Sequence, residues 1–311
     1  MDLSILIVNH HTKSLLRDCL TSLIETMPAV KYEIIVVNNT PEDGCSEMLA
    51  EIFPAVRVWN NAETRGFAWN NNQALLLSSG KLIWMLNPDT IIKPGACQKM
   101  LDFLESRPQA GLVGPRSLNA EGGVDIYACS RFPGLWVDFI SIFALSRFCL
   151  RFPAIKGPLY PQVLQDQPFQ SDKIIGASIL FRREVIEQAG FLDEQFFMYF
   201  EETDWCFRVR KAGWEIWQVP EAVIVHIYGG SAGGENARLM LHYVKSQQQY
   251  YRKNLGAFQA VLVRLIMIAG LSLRLVKWNL VKIIAPGRKT RANEEISKWT
   301  PPLRWLLTQK A

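Results

Sequence analysis

Leu82–Asp89 reads LIWMLNPD. Five apolar residues run without a break, then stop at Asn87-Pro88 and an acid. An apolar run of this length bounded by turn residues predicts a strand buried on both faces. Proline fixes the backbone where the strand ends, so Asp89 is held at the strand's carboxyl end. A plain β-to-loop turn is the competing reading of the same three residues.

Working towards the N-terminus, Ser4–Asn9 (SILIVN), Glu33–Asn39 (EIIVVNN) and Val56–Trp59 are runs of the same kind. Helical spacing fills the gaps between them, at Lys13–Met27, Met48–Phe53 and Phe67–Ser79, and again beyond at Gly95–Ser106, before a strand at Leu112–Gly114. Strands alternating with helices predict an α/β fold with a mostly parallel, Rossmann-like central sheet and helices on both faces. In such sheets ligands bind outside the carboxyl ends of the strands. Asn9, Asn38, Asn39, Asn87 and Asp89 all fall there. The first strand runs into VNHHTKS and lacks a G-x-G-x-x-G turn, which argues against a dinucleotide-dependent oxidoreductase or a methyltransferase.

Working towards the C-terminus, Ile174–Phe181 predicts a strand and Arg183–Ala189 a helix. Phe196–Arg208 (FFMYFEETDWCFR) then sets Glu201, Glu202 and Asp204 within four residues, between aromatic neighbours. Carboxylates so crowded repel one another and resist desolvation, so a proton, a metal or a cation must relieve them. Such a site can hold a general base poised near neutral pH; a solvated acidic loop is the bland alternative. A helix through Ala212 follows, then short strands at Trp214–Val219 and Val223–His226, with His226 just ahead of a Gly-Gly turn.

In order along the chain stand VNHH, VVNN, RGFAWNNN, LNPD, MYFEETDWCFR and HIYGGS. This ordered set resembles the nucleotide-sugar-dependent glycosyltransferases of family 2, with the GT-A fold, and within them the rhamnosyltransferase-like branch. The resemblance covers about residues 3–235. It implies that Asp89 is the working carboxylate of a degenerate D-x-D motif, with Asn87 in the first slot, and that it binds Mg²⁺ or Mn²⁺ together with His226. Neutral imidazole suits Mn²⁺ better. It implies a nucleotide pocket lined by Val8, Asn9, Asn38, Arg65, Gly66 and Asn71, and phosphate contacts near Ser231. Asn38 stands where the family usually has an Asp that reads the base; an amide oxygen can still accept from a pyrimidine N3–H. Glu202 takes the catalytic-base slot with one more methylene than the usual Asp, Asp204 is the second acid, and Arg208 is placed to pair with one of these acids.

The implied activity is inverting transfer of rhamnose or a similar deoxyhexose. The donor would be a dTDP- or UDP-sugar and the acceptor lipid-linked or a polysaccharide, in cell-surface glycan biosynthesis. The alternative is a non-catalytic sugar-nucleotide-binding or membrane-scaffold protein, for which the Asp-to-Glu change is the hint.

The net charge of +5 hides an asymmetry. Residues 1–251 carry 22 Lys+Arg against 27 Asp+Glu, whereas residues 252–311 carry 12 against 2. A catalytic domain at 1–251 (nucleotide half 1–115, acceptor half 116–251) and a basic helical tail at 252–311 are expected. Leu255–Ile284 is apolar but broken by Arg264, Arg274, Lys277 and Lys282. At 100° per residue these charges share a sector of about 140°, as in an amphipathic helix lying on an anionic membrane surface; a helix packed on the protein's own body is the alternative. The uncharged stretches are far shorter than the ~20 residues of a membrane span. Leu, Ile and Val rather than stacking aromatics separate the charges, so a nucleic-acid partner is not expected. Phe132–Phe152, rich in aromatics, is a candidate acceptor-side surface. Six scattered cysteines with no C-x-x-C pair read as reduced thiols, and the start at Met1 carries no signal core. The expected location is cytoplasmic, peripheral at the inner face of the plasma membrane.

Overall fold

The computed structural model describes residues 1–152, 154–227 and 237–308. The apolar runs become strands in the expected order: β1 (Leu3–Asn9), β2 (Tyr32–Asn38), β3 (Arg57–Asn60), β4 (Leu82–Leu86), β5 (Thr90–Ile92) and β6 (Ala110–Leu118). Between them lie α1 (Lys13–Thr26), α2 (Cys45–Ile52), α3 (Phe67–Leu77) and α4 (Ala96–Ser106). The later part holds β7 (Cys129–Ser130), α5 (Leu135–Ile142), α6 (Ser146–Arg151), β8 (Phe169–Gln170), β9 (Lys173–Ile174) and β10 (Ser178–Arg182). It closes with α7 (Glu184–Ala189), α8 (Glu201–Lys211), β11 (Glu215–His226), α9 (Ala237–Asn254), α10 (Ala257–Ile284) and α11 (Lys289–Thr308).

The described chain forms two compact units. The first holds residues 1–131, 160–197 and 201–227 and is built on one sheet ordered β3-β2-β1-β4-β10-β6-β11-β5, with β8 also on β11. The α/β class is as expected. Parallel pairing runs through β3, β2, β1 and β4 and recurs between β6 and β11. β10 enters between β4 and β6 antiparallel to both. Helix α1 buries Leu16, Cys19, Leu20 and Leu23, one face at helical spacing, against this sheet's core.

The sheet is curled, and chain length requires it. Only Asn87, Pro88 and Asp89 separate β4 from β5, a reach of at most about 14 Å. On a flat sheet the four steps from β4 through β10, β6 and β11 to β5 would span about 19 Å. The curl brings the end of β11 to the Asp89 turn, where Ile227 N donates to Asp89 O at 2.8 Å and His226 is paired in register with Thr90.

Two strand expectations are redrawn. Ile174–Phe181 is not one strand, because the chain leaves the sheet at residues 175–177 so that β9 can pair with β7 while β10 pairs with β4. Trp214–Val219 and Val223–His226 are one strand, β11, with an irregularity between Val219 and Val223 that accommodates Pro220, which lacks an N–H.

The second unit is helical: Phe132–Leu159, Met198–Phe200 and 237–308. The expected tail is therefore part of a larger body, and residue 251 lies inside α9. Buried Asp138 of α5 accepts from Gln247 Nε2 at 2.9 Å and from the Tyr251 hydroxyl, tying α5 to α9. Helix α10 buries Ala260, Val263, Met267, Gly270 and Leu271 and draws in two of its four expected charges, while Lys277 and Lys282 stay exposed. Arg264 Nε donates to Leu306 O at 2.8 Å, and Arg274 donates to Ile142 O at 3.1 Å with its guanidinium over Trp299. Gly270 lets Ile142 close on the helix, since a Cβ there would collide with the Ile142 side chain. Phe258, Val261, Leu265, Leu273, Val276, Leu280 and Ile283 are left exposed along the other side. By length and composition α10 suffices to cross a membrane, against the expectation that its interrupted apolar run is too short.

Candidate active site

The ends of β1 and β2 carry a packed polar ladder. Asn9 Nδ2 donates to Asn38 Oδ1 and to Asp43 Oδ2, both at 2.9 Å, while Asn9 Oδ1 accepts from the Thr12 hydroxyl at 2.8 Å. Asn38 is fully buried: its amide donates to Asn60 Oδ1 at 3.0 Å and Ser46 Oγ at 3.3 Å, and its oxygen also accepts from Thr40 N at 3.3 Å. Both amide hydrogens and both lone pairs of Asn38 thus have partners. Reading a base as expected would require one of these bonds to give way. Val8, one residue earlier, is half-buried.

Asn39 clasps the Arg65 backbone from both sides, accepting from Arg65 N at 2.8 Å and donating to Arg65 O at 3.0 Å. The Arg65 side chain is half-exposed, paired with Glu63 and 5.4 Å from the Trp69 ring centroid. Gly66 does permit a close backbone approach, as expected, but the neighbour is Phe197: a Cβ on Gly66 would lie 2.9 Å from Phe197 O. Phe67 N donates to the same oxygen at 3.2 Å. Asn71 is buried and donates to Phe67 O at 3.0 Å, within its own helix. Three residues not foreseen support it: Asn70 donates to the Arg65 and Gly66 carbonyls, Asn61 donates to Asn39 and Asn70, and Asn72 bonds Leu192 N and O. The run of asparagines in RGFAWNNN was the signal for Asn70 and Asn72, but not for Asn61.

Asp89 and His226 meet at the curl. Asp89 Oδ1 lies 3.3 Å from His226 Nε2, and the residues are 3 % and 6 % exposed. Two ligands of one divalent ion, each at about 2.1–2.2 Å and at right angles, stand about 3 Å apart. One carboxylate and one imidazole therefore fit a single Mg²⁺ or Mn²⁺, and among the described residues no third His, Cys, Asp or Glu completes the set. The remaining positions would fall to diphosphate oxygens and water. Ser231, expected near the phosphates, lies outside the described residues.

The acidic cluster opens α8. Tyr199 and Phe200, just before it, both sit in the left-handed region at φ 65° and 68°, an unfavourable backbone for aromatic residues. Glu201 is buried, and its desolvation, with the Glu202 charge beside it, pushes its carboxyl well above the usual range. Asp204 accepts from Arg208 Nε at 2.9 Å, and Arg208 also donates to Ala189 O and, at 2.7 Å, to Phe191 O. The expected Arg208 partner is thus Asp204, and the pair pins the segment leading from α7. Glu202 is mostly buried, its side chain 13 % exposed. It accepts from the Thr203 hydroxyl at 3.3 Å and stands 4.0 Å from Lys173 Nζ, a neighbour that nothing in the sequence marked.

The two halves converge. Asn87 N donates to Ala177 O at 2.9 Å, and the adjacent Gly176 would place a Cβ 3.3 Å from Phe67 Cζ and 3.9 Å from Glu202 Cβ. The strand end bearing Asp89, the turn bearing Gly66 and the helix bearing Glu202 lie at one end of the sheet, around a strip kept narrow by a glycine.

A model of the family described as Glycosyl transferase family 2 matches residues 4–190. The N-acetylglucosaminyl-diphospho-decaprenol L-rhamnosyltransferase of Mycobacterium tuberculosis is 25 % identical over 235 residues, 68 % of this chain and 72 % of the relative. Two solved structures share the GT-A fold. GalNAc-T7 with UDP, GalNAc and Mn²⁺ matches at a TM-score of 0.60 and 17 % identity over 81 % of this chain, which spans about half (48 %) of that protein's length. The mannosyltransferase PcManGT from Pyrobaculum calidifontis, with GDP-Man and Mn²⁺, matches at 0.59 and 15 % identity over 99 % of this chain and 88 % of its own.

Proposed function

Because the chain belongs to glycosyl transferase family 2, we propose that it is an inverting, divalent-metal-dependent hexosyltransferase that moves rhamnose or a similar deoxyhexose from a dTDP- or UDP-sugar to a lipid-linked or glycan acceptor. The observation that carries this reading is the meeting of Glu202, Gly176 and the Asn87–Asp89 strand end at one end of the sheet. Glu202 takes the proton of an acceptor hydroxyl. The freed oxygen attacks the anomeric carbon as the bond to the nucleoside diphosphate breaks on the opposite face, so configuration inverts in one displacement. Asp89 and His226 would hold a divalent cation, which would supply positive charge to the diphosphate leaving group. Val8, Asn9, Asn38, Arg65, Gly66, Asn71 and Asn87 frame the nucleotide, and Asp204 with Arg208 keeps α8 in place.

The chain works at the inner face of the cytoplasmic membrane, where a polyprenyl-diphosphate acceptor would be found; the outward apolar stripe of α10 supports this placement. The experiment is Glu202→Gln. Transfer should fall by about 10²–10⁴-fold, while Mn²⁺-dependent thermal stabilisation by dTDP- or UDP-sugar persists and disappears on chelation. Near-normal turnover in that variant would remove Glu202 as the base, and a preference for GDP-sugars would remove the pyrimidine assignment.

A further inference from the structure

Two adjacent glutamates at the head of α8 present a choice that the base assignment leaves open. Either carboxyl could carry the charge and the other the proton, and only an ionised Glu202 can accept from an acceptor hydroxyl. The cations near the pair decide the matter. Arg208 is spent on Asp204 and on two carbonyls. Lys173 Nζ lies 3.1 Å from the Thr203 hydroxyl, which in turn donates to Glu202 Oε1, and 4.0 Å from Glu202 Oε1 itself. Both side chains are mostly buried, at 18 % and 13 % exposure, so the interaction is weakly screened.

The backbone beneath Lys173 is fixed. β9 pairs with β7, Ser171 Oγ donates to Lys173 O at 2.7 Å, and Ile175 N donates to Ala128 O at 3.0 Å. Three residues on stands Gly176, against Glu202 Cβ. One short segment thus supplies both the cation and the glycine that lies against Glu202. The other charged groups on elements packed against α8 are Glu184 and Glu187 of α7 and Glu215, Glu221 and His226 of β11. Among the described residues, Lys173 is the cation within ion-pair distance of Glu202. Asp172 beside it is engaged with Tyr160, and on α8 itself the Cys206 thiol, pushed up to about 12 chiefly by burial, stays neutral.

We propose that Lys173 is a positioning residue that fixes the charge of the glutamate pair on Glu202 and, through the Thr203 hydroxyl, aims that carboxylate into the site. The proton then resides on Glu201, where burial and the neighbouring Glu202 charge favour the neutral form and outweigh the opposing pull of the same Lys173. This inference rests on the proposed role of Glu202 as the base. It predicts that removing the cation leaves donor binding intact but returns the proton to the wrong glutamate.

The test uses the full chain with ¹³C-labelled glutamate side chains, the two signals assigned through Glu201→Gln and Glu202→Gln, together with transfer from dTDP-rhamnose to an N-acetylglucosaminyl-diphospho-prenol. In the wild type at pH 7 the Glu202 signal should sit at the carboxylate position and the Glu201 signal at the acid position. In Lys173→Met the Glu202 signal should move towards the acid position. The acid limb of the kcat profile should move up by about one to three pH units, with the KM for donor within about twofold. Lys173→Arg should restore both, and Lys173→Gln gives a second neutral variant should the methionine protein fold poorly. Unchanged Glu202 signals and an unchanged profile in the neutral variants overturn the proposal. Glu202→Gln in parallel separates the failures: an active Glu202→Gln removes the base, whereas an inactive one beside wild-type-like Lys173→Met removes only the role of Lys173.

Discussion

Gly66 shows how one missing side chain couples two distant stretches. Phe197 O sits where its Cβ would be, and Phe67 N donates to that same oxygen, so Gly66→Ala must push apart the RGF turn and the approach to the acidic helix. Backbone rather than a flexible side chain is the obstacle, so a loss of about 1–3 kcal/mol in stability is expected. Transfer activity should fall further than unfolding alone explains, checked by urea denaturation beside kcat. Residue types told much of the site in advance. Strand-end asparagines, the Asn-Pro-Asp turn and the Glu-Glu-x-Asp cluster each carry a chemistry that is legible without coordinates. Lys173 was not legible, because a lysine between a polar Gln-Ser-Asp stretch and an apolar pair gives no hint of the helix it will face thirty positions later. Nor was the saturation of Asn38, since side-chain bonds such as Asn9–Asn38–Asn60 depend on strand register.

Among the elements, Glu33 of β2 fastens the edge of the sheet. Its carboxylate accepts from Ser4 of β1, from the backbone and hydroxyl of Ser79 ahead of β4, and from Arg57 of β3. Burial pushes its carboxyl up, but these hydrogen bonds outweigh burial and bring it down to about 2 from the ordinary 4.5. A depressed carboxyl stabilises the folded chain above its unfolded value and loses that contribution as pH falls through the folded one. Wild type should therefore melt several degrees above Glu33→Gln at pH 7, and the gap should close between about pH 4.5 and 2; a gap that persists at pH 2 would contradict this role. The main strands could be read from sequence because unbroken apolar runs have few other uses. Their breaks could not. Ile174–Phe181 divides because two partner strands compete for it, and β11 continues past Pro220 because its pairing with β6 resumes at Val223. Both outcomes are decided by tertiary pairing, which local periodicity does not encode.

For the molecule as a whole, α10 is apolar on both sides, burying Ala260, Val263, Met267 and Leu271 and exposing a second apolar stripe. Its exposed apolar residues fall within an arc of about 140° at 100° per residue, while Arg264 and Arg274 are bonded to backbone carbonyls of the helical unit. With 12 basic against 2 acidic residues in 252–311, this surface suits a bilayer that is apolar within and anionic at its rim. The full chain should co-float with vesicles containing anionic phospholipid, and Leu273→Glu with Leu280→Glu should abolish flotation while leaving the melting temperature within a degree or two. Flotation unaffected by those substitutions would place the contact elsewhere.

The three-residue link from β4 to β5 imposes a different kind of constraint. It is a tight turn closed by the Thr90 hydroxyl on Asn87 O at 2.7 Å, so the number of bonds between Leu86 and Thr90 matters as much as what hangs from them. Adding a single residue would break that turn and let the carboxylate drift from the imidazole, with every original side chain still present. Variation at this spot should therefore be found in chemistry and never in count.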